Sequence, residues 1–469
     1  MKHTATAIAL FLAICANAQW TVINLHPEGG DFSYANGVSD GQQVGLAHVV
    51  GPRASLWYGT AESYVDLHPT GAQASIAYGV SGGQQVGTVG SVNYRAALWT
   101  GTAESRVNLH PAGAAISEAF GVAGGQQVGY SDFTGGRANA SLWTGTAQSH
   151  VNLHPAGAHS SVAQAIHNGQ QVGYHMIFGN DNHLASLWSG TAQSHVSLHP
   201  AGATTSVARG IHNGQQVGVV DYDRASLWTG TAESWVDLGY GRAHGVHDGT
   251  QVGNSFGTDH ACLWYGTPGS RVDLGAFLPP EFYTSEARGI WHDGVFTYVV
   301  GLAHVVGRDE AVMWVSRASA PTSYSMFRGS VISGNLASLQ SSDNNRLVMR
   351  PGAVFSNAEP PVQVILNATA PTSSPSGFSF SLESNASIAN AEQKISLYNY
   401  VTGQYEVLDT RLATTSDDTV NVSVTTNTSR FIQAGTMAIR ARVSYRALGP
   451  VFTYPWFGRI DKAWWAFPG

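Results

Sequence analysis

Ala54-Ser55-Leu56-Trp57, continued as Tyr58-Gly59-Thr60-Ala61-Glu62-Ser63, returns as Ala96–Trp99, Ala140–Trp143, Ala185–Trp188, Ala225–Trp228 and Ala261–Trp264. A degraded seventh copy is Ala311–Trp314. The tryptophans are separated by 42, 44, 45, 40, 36 and 50 residues. Self-similarity at this period marks a chain built of stacked or radially arranged repeats. Each unit then divides into four strand-like segments. The first is Ser-x-Ala-x-Gly-Val, as at Ser33–Val38 and Ser75–Val80, alternating small and variable residues with the period of a strand. The second is Gly-Gln-Gln-Val-Gly, as at Gly41 and Gly83, preceded by hairpin dipeptides such as Asp40-Gly41 and Asn168-Gly169. The Ala-x-Leu-Trp segment is third, and Gly-Thr-x-x-Ser leads tightly into the fourth, Val-Asp-Leu or Val-Asn-Leu. Four short strands per repeat of this length is the pattern of a β-propeller blade.

Counting strands predicts how the circle closes. The first three segments occur seven times, but the fourth follows only six of them, and Ser316–Pro321 does not resemble it. The missing copy stands at the other end, as Trp20-Thr21-Val22-Ile23-Asn24-Leu25-His26-Pro27. The expectation is an all-β chain: a seven-bladed β-propeller over residues 19–317, its last blade completed by the N-terminal strand. A linker over 318–327 and a jelly-roll-like β-sandwich over 328–469 follow, the latter from non-repeating strand-like runs such as Val362–Leu366 and Ile395–Tyr400.

The repeats resemble the HAF-type extracellular repeat family, whose unit is Gly-x-Asn-x-x-Gly-x-x-Val-Gly followed by His-Ala-Phe-Leu-Trp. The matching residues are Gly210-Ile211-His212-Asn213-Gly214-Gln215-Gln216-Val217-Gly218 and His260-Ala261-Cys262-Leu263-Trp264. Most units depart from that pattern, with Arg for the His or Ser for the Phe. The resemblance covers about two-thirds of the chain and implies a secreted or surface bacterial propeller; it brings no catalytic residues.

Composition agrees with an extracellular location. Lys2 precedes an apolar run, and Ala16-Asn17-Ala18 fits a signal-peptide cleavage site, so residues 1–18 read as a leader. Its removal leaves Cys262 as the one thiol, standing where other repeats have Ser, which fits a packing role rather than a nucleophile. No later run is long and apolar enough to span a bilayer as a helix. Residues 19–320 hold 11 Arg, no Lys and 21 acids. That half lacks the basic stripe a nucleic acid requires.

The seven tryptophans are expected between blades, as packing residues. All 18 histidines of the mature chain lie in the repeats. Five share Leu-His-Pro, and His167, His212, His247 and His292 precede hairpin turns. Equivalent residues of successive blades are expected too far apart to share an ion, so no metal and no cofactor is assigned, and the histidines are expected to gain charge near pH 6.5. Asp221, Asp223 and Asn180-Asp181-Asn182 have only generic spacing for acid–base work or calcium.

Specificity is expected where repeats disagree. The variable loops all join second to third strands, and the innermost strands vary at two positions each. Those positions bring Arg209, Arg242, His244, Glu286 and Arg288 to the central channel as the ligand-site candidates, against the alternative of plain Arg–Glu pairing. Phosphate loops and zincin motifs are absent from the sequence. The expectation is a secreted or surface binding protein whose loop face takes a glycan, surface polymer or protein. A polysaccharide hydrolase or lyase working at the channel mouth is the alternative.

Overall fold

The computed structural model describes residues 20–133, 136–293, 295–340, 345–356, 358–450 and 454–468. The expected leader at 1–18 lies outside them. The chain is all-β: the described residues form many small antiparallel sheets joined by turns and short 3-10 helices, with no α-helix among them.

In the first repeat the strands are Phe32–Ser39, Gln42–His48, Pro52–Trp57 and Val65–Asp66, paired in that order. Three further four-stranded sheets repeat this through Ser197. The next two repeats share one sheet, because Val236–His247 runs without a break from a fourth strand into the following first strand. The last repeat pairs Thr284–His292, Phe296–Val305 and Arg308–Ser319. Thr21–Asn24 lies antiparallel on its outer edge, with Ile23 opposite Met313, where strand counting put it. Trp57, Trp99, Trp143, Trp188, Trp228, Trp264 and Trp314 are all fully buried. Each packs on strands of the repeat before it: Trp99 on Val44 and Leu56, and Trp57 on Val300 and Met313 of the last repeat.

The innermost strands depart from plain alternation. In the first repeat Ala35 faces Gly45 while Gly37 faces Val44, which leaves Asn36 as an extra residue. The same bulge singles out Tyr78, Phe120, Gln164, Arg209, His244 and Arg288. A bulge bends the strand and re-aims the extra side chain. It also brings backbones together: a β-carbon on Gly45 would stand 1.8 Å from the Tyr34 carbonyl oxygen.

A hydrogen-bond relay couples neighbouring repeats. The Ala54 N–H donates to Ser75 Oγ (2.9 Å), which meets His68 Nδ1 (2.8 Å), while His68 Nε2 meets the Ala72 carbonyl (3.1 Å). A carbonyl only accepts, so Nε2 carries the proton and Nδ1 takes the serine hydroxyl. The relay recurs at His26–Ser33, His110–Ser117, His154–Ser161 and His199–Ser206. Leu-His-Pro is therefore a structural motif, and the Ser of the first strand is its partner.

The C-terminal part differs from expectation at its entry. Arg308–Ser319 and Ser323–Arg328 are strands that run into the stretch read as a linker over 318–327. Tyr324 and Met326 pack against the C-terminal core, so this segment alternates like a strand. Ser323–Arg328 opens a five-stranded sheet, and Phe378–Ala386 lies between Asp418–Val424 and Gly458–Pro468 in another. One hydrophobic cluster joins the two, with Val364 and Ile395 from the first and Phe380 and Trp465 from the second. The final strand also reaches the repeats, where Arg317 faces Phe467 and Ser319 faces Trp465. The N-terminal and C-terminal strands thus lie end to end along one edge of Arg308–Ser319.

Ser75→Ala leaves the buried Ala54 N–H without an acceptor and is expected to lower unfolding free energy by about 1–3 kcal/mol. Urea denaturation measures this, with an unchanged midpoint as the contrary result. A second prediction concerns acid. Burial, reinforced by His175, holds His195 at about 4, and burial lowers His175 itself. Both rings meet Ser186 Oγ, at 3.0 and 2.9 Å. Their unfolded value is near 6.5. The stabilising share of both is therefore complete above pH 6.5 and is lost as pH falls from there, through about 4 for His195. His195→Gln should flatten the fall in urea midpoint between pH 7 and pH 4.5; Arg106 and Trp235 hold the equivalent place in other repeats.

Candidate ligand site at the channel mouth

The bulged residues converge on a central cavity of about 450 Å³. Its wall carries Tyr78, Phe120 and Gln164 on one side and Arg209, His244 and Arg288 on the other, with Asn36 and Glu286 beside Arg288. Four of the five candidate residues are thereby brought together. Arg242 is not among the lining residues. It stands on the ordinary ladder opposite Asn254, where its Nε donates to the Tyr222 carbonyl (3.3 Å) and its guanidinium covers Phe256. The bulge separates two positions that simple alternation puts on one face.

Arg288 is fully engaged: Nε donates to Glu286 Oε1 (3.0 Å), Nη1 to Asn36 Oδ1 (2.8 Å), and the guanidinium lies 5.2 Å from the Tyr34 ring centre. His244 Nε2 lies 3.5 Å from the same Glu286 oxygen, with its side chain 13% exposed. Burial drives His244 down to about 4, although Glu286 opposes the change. Burial works against ionised Glu286, yet His244, Arg288 and Arg209 together hold its carboxyl below the ordinary range. The Arg–Glu pairing considered from sequence is present, but it involves Arg288 and not Arg209. Arg209 Nε is buried and has no hydrogen-bond partner. Burial, with Arg242 adding repulsion, lowers its pKa.

Across the cavity Glu118 accepts from Tyr130 Oη (2.7 Å) and Tyr78 Oη (3.4 Å). Burial raises its pKa against those two bonds. Burial and Glu118 push both tyrosines up, so their protons stay in place at neutral pH. Tyr78 packs edge-on against Phe120, which neighbours Tyr130. Sequence reasoning missed Tyr130 and Tyr174. Their signal was the variable residue after Gly-Gln-Gln-Val-Gly, which pairs across the ladder with the first variable position.

The opposite, hairpin end of the innermost strands corrects another expectation. His212 stacks on His247 with ring centres 4.0 Å apart, and His167 lies 4.2 Å from His212. Equivalent residues of neighbouring repeats do meet there, because the innermost strands are in contact. The histidines also do not titrate as one set near 6.5. Burial lowers ten of them: His110, His150, His154, His167, His175, His183, His195, His212, His244 and His247. Cys262 is buried and burial pushes its thiol up, as a packing residue requires. Asp221 Oδ1 ties its turn to the connection before Ser206–His212 by accepting from the Thr204 N–H (2.7 Å). The Asn180 and Asp181 side chains lie outside the described residues.

No family model and no curated protein matches the chain. Among solved structures it is similar to the computationally designed Ika8 protein, at 15% identity and TM-score 0.39, over 62% of this chain and 99% of that one. Puromycin hydrolase gives 11% identity and TM-score 0.42 over 69% and 59%. A mutant Trypanosoma rangeli sialidase displaying trans-sialidase activity gives 9% and 0.33 over 95% and 94%. At these scores the likenesses carry no argument about function.

Glu286→Gln removes the charge that supports the His244 imidazolium. The His244 pKa, read by NMR titration, is expected to fall further below about 4; an unchanged value would show that the contact at 3.5 Å carries no coupling.

Proposed function

We propose that the chain is a secreted or surface binding protein of the HAF-repeat type, in which a seven-bladed β-propeller holds a carboxylate-bearing glycan at its channel mouth. The C-terminal β-sandwich serves as its accessory module. The observation that carries this reading is Arg209. A buried guanidinium Nε without a partner is costly to keep, and an incoming carboxylate would satisfy it with the bidentate geometry that arginine favours. Arg288 and Arg242 add positive charge to that side, while Tyr78 and Phe120 offer apolar ring faces to the other side of a bound sugar. Support for the propeller comes from the repeated sheets, the contact of Trp57 with the last repeat, and Thr21–Asn24 on the last repeat's edge. Lys2 and the apolar run after it support secretion.

Screening residues 19–469 on a glycan array tests the reading, with acidic glycans expected to bind over neutral ones. Arg209→Glu and Arg288→Glu should each abolish that binding. Arg209→Met should also lose it while raising the melting temperature, since a methionine needs no buried partner. Retained binding in all three variants would refute the site.

One observation favours the alternative. Glu118 and Glu286 lie beside the same channel with pKa values displaced in opposite directions, the division that acid–base catalysis uses. Release of reducing ends from an acidic polysaccharide, abolished by Glu118→Gln, would establish a hydrolase or lyase. Binding without release leaves the binding protein.

A further inference from the structure

His212 and His247 close the innermost strands Ser206–His212 and Val236–His247, and Asp248 begins the turn after the second. One ligand atom from each of the three lies within 4.8 Å of the other two. His212 Nδ1 is 3.4 Å from Asp248 Oδ1, and His247 Nδ1 is 3.6 Å from Asp248 Oδ2. Two donors bound at about 2.0–2.1 Å to one tetrahedral ion stand about 3.3–3.4 Å apart. The group is therefore near ligand spacing before any ion arrives. His247 Nδ1 is buried without a hydrogen-bond partner, so one donor is held out of water and uncommitted. His212 Nδ1 accepts only a long bond of 3.2 Å from the Asp248 N–H, and an ion would replace it.

We infer that His212, His247 and Asp248 form a Zn²⁺ site with one open coordination position. Two imidazoles and one carboxylate suit zinc, whereas calcium and magnesium want oxygen donors throughout. Three protein ligands with a free fourth position is the open form of a zinc site, the position being taken by water or an anionic group of a ligand. Room for that group exists. The three residues line a cleft of about 560 Å³ between the hairpin ends and the C-terminal strand, with Lys462 and Trp464 on the facing wall. Lys462 Nζ donates to the Asp248 carbonyl at 3.4 Å, which holds the turn and leaves the carboxylate to the ion. Zinc here would join two adjacent repeats directly beneath the C-terminal strand. The site uses none of the residues of the glycan proposal: His212 and His247 stand three residues beyond Arg209 and His244, at the hairpin ends of the same strands.

The test uses residues 19–469, stripped with EDTA and titrated with zinc chloride at pH 7.5 by calorimetry. One tight equivalent is expected, together with a melting temperature that rises with zinc concentration. His247→Ala and Asp248→Asn should each weaken that equivalent by at least about tenfold, the lower end of what loss of even an outer partner costs. Asp248 is half-exposed, so its amide variant keeps the fold if His247→Ala does not. His48→Ala, which removes an exposed imidazole paired with Asp31, should leave the titration unchanged. Absence of a tight equivalent, or its persistence in Asp248→Asn, overturns the assignment.

Discussion

A β-carbon on Gly79 would stand 2.7 Å from the Phe120 carbonyl oxygen of the next repeat, and one on Gly289 would stand 3.2 Å from Gly37 Cα. The last innermost strand therefore touches the first, and the contact runs round the molecule. The repeats can come this close because the bulge turns one residue out of the ladder and the crossing carries glycine, or in the fourth repeat the small Ala165. Everything functional hangs on that closeness. The expelled residues are the ones that line the channel. The strand ends, carried together by the same contact, stack His212 on His247. A wider circle would lose both features at once.

Holding such a circle without disulfides requires many small couplings. The relay from the Ala54 N–H through Ser75 to His68 and the Ala72 carbonyl satisfies buried polar atoms of two repeats in one chain of bonds. The second glutamine of Gly-Gln-Gln-Val-Gly acts within and between repeats: Gln85 donates to the Gly83 carbonyl and to Gln42 Oε1 of the repeat before, and accepts from the Gly101 N–H. Each bond alone contributes modestly, but leaving any of them unmade costs more than making it gains. Uniformity of these residues across repeats follows, since each repeat faces the same desolvation penalty. The relay histidine is absent after Leu274, where the 3-10 helix Gly275–Phe277 occupies the connection, yet Ser285 still accepts from the Ala261 N–H at 2.9 Å. The serine bond persists there, whereas at the preceding junction Gly241 replaces the serine and Ala225 stands opposite Gly239 in the sheet.

The repeat order, the buried tryptophans and the position of Thr21–Asn24 were legible because each leaves a local mark that recurs or fails to recur. Arg209, His244 and Arg288 were legible for the same reason, as disagreements at a fixed place in the repeat. Arg242 shows the limit. A slip of one residue reverses the face of a side chain, and the glycines that permit the slip read as turn or packing residues in a linear sequence. The histidine stack was misjudged through a distance: the spacing of equivalent residues depends on the radius at which they stand, which no sequence prints. The pairing of Gly458–Pro468 with Arg308–Ser319 was also illegible, since edge strands carry no tag for the partner they take.

The C-terminal strands settle which end of the circle is free. Thr419 Oγ1 donates to the Tyr265 carbonyl, Asn421 Nδ2 reaches the Ser270 carbonyl, and Tyr265 packs edge-on against Trp464. Tyr265 and Ser270 belong to the connection after Trp264, and Trp264 pairs with Gln251 near the hairpin end. These contacts fall at the hairpin end of the last two repeats, where turns are uniform, and none of them touches an irregular loop. The bulge makes the middle of each innermost strand cheap to vary, because the expelled residue has no ladder partner to lose and its exchange disturbs no hydrogen bond of the sheet. Asn36, Tyr78, Gln164 and Arg209 occupy equivalent places at no visible cost to their strands. At the covered end a changed side chain meets the next repeat and the C-terminal strand together. Chemistry can therefore diversify at the bulges along the channel under one constant frame, while the hairpin end is held to residues that fit their neighbours.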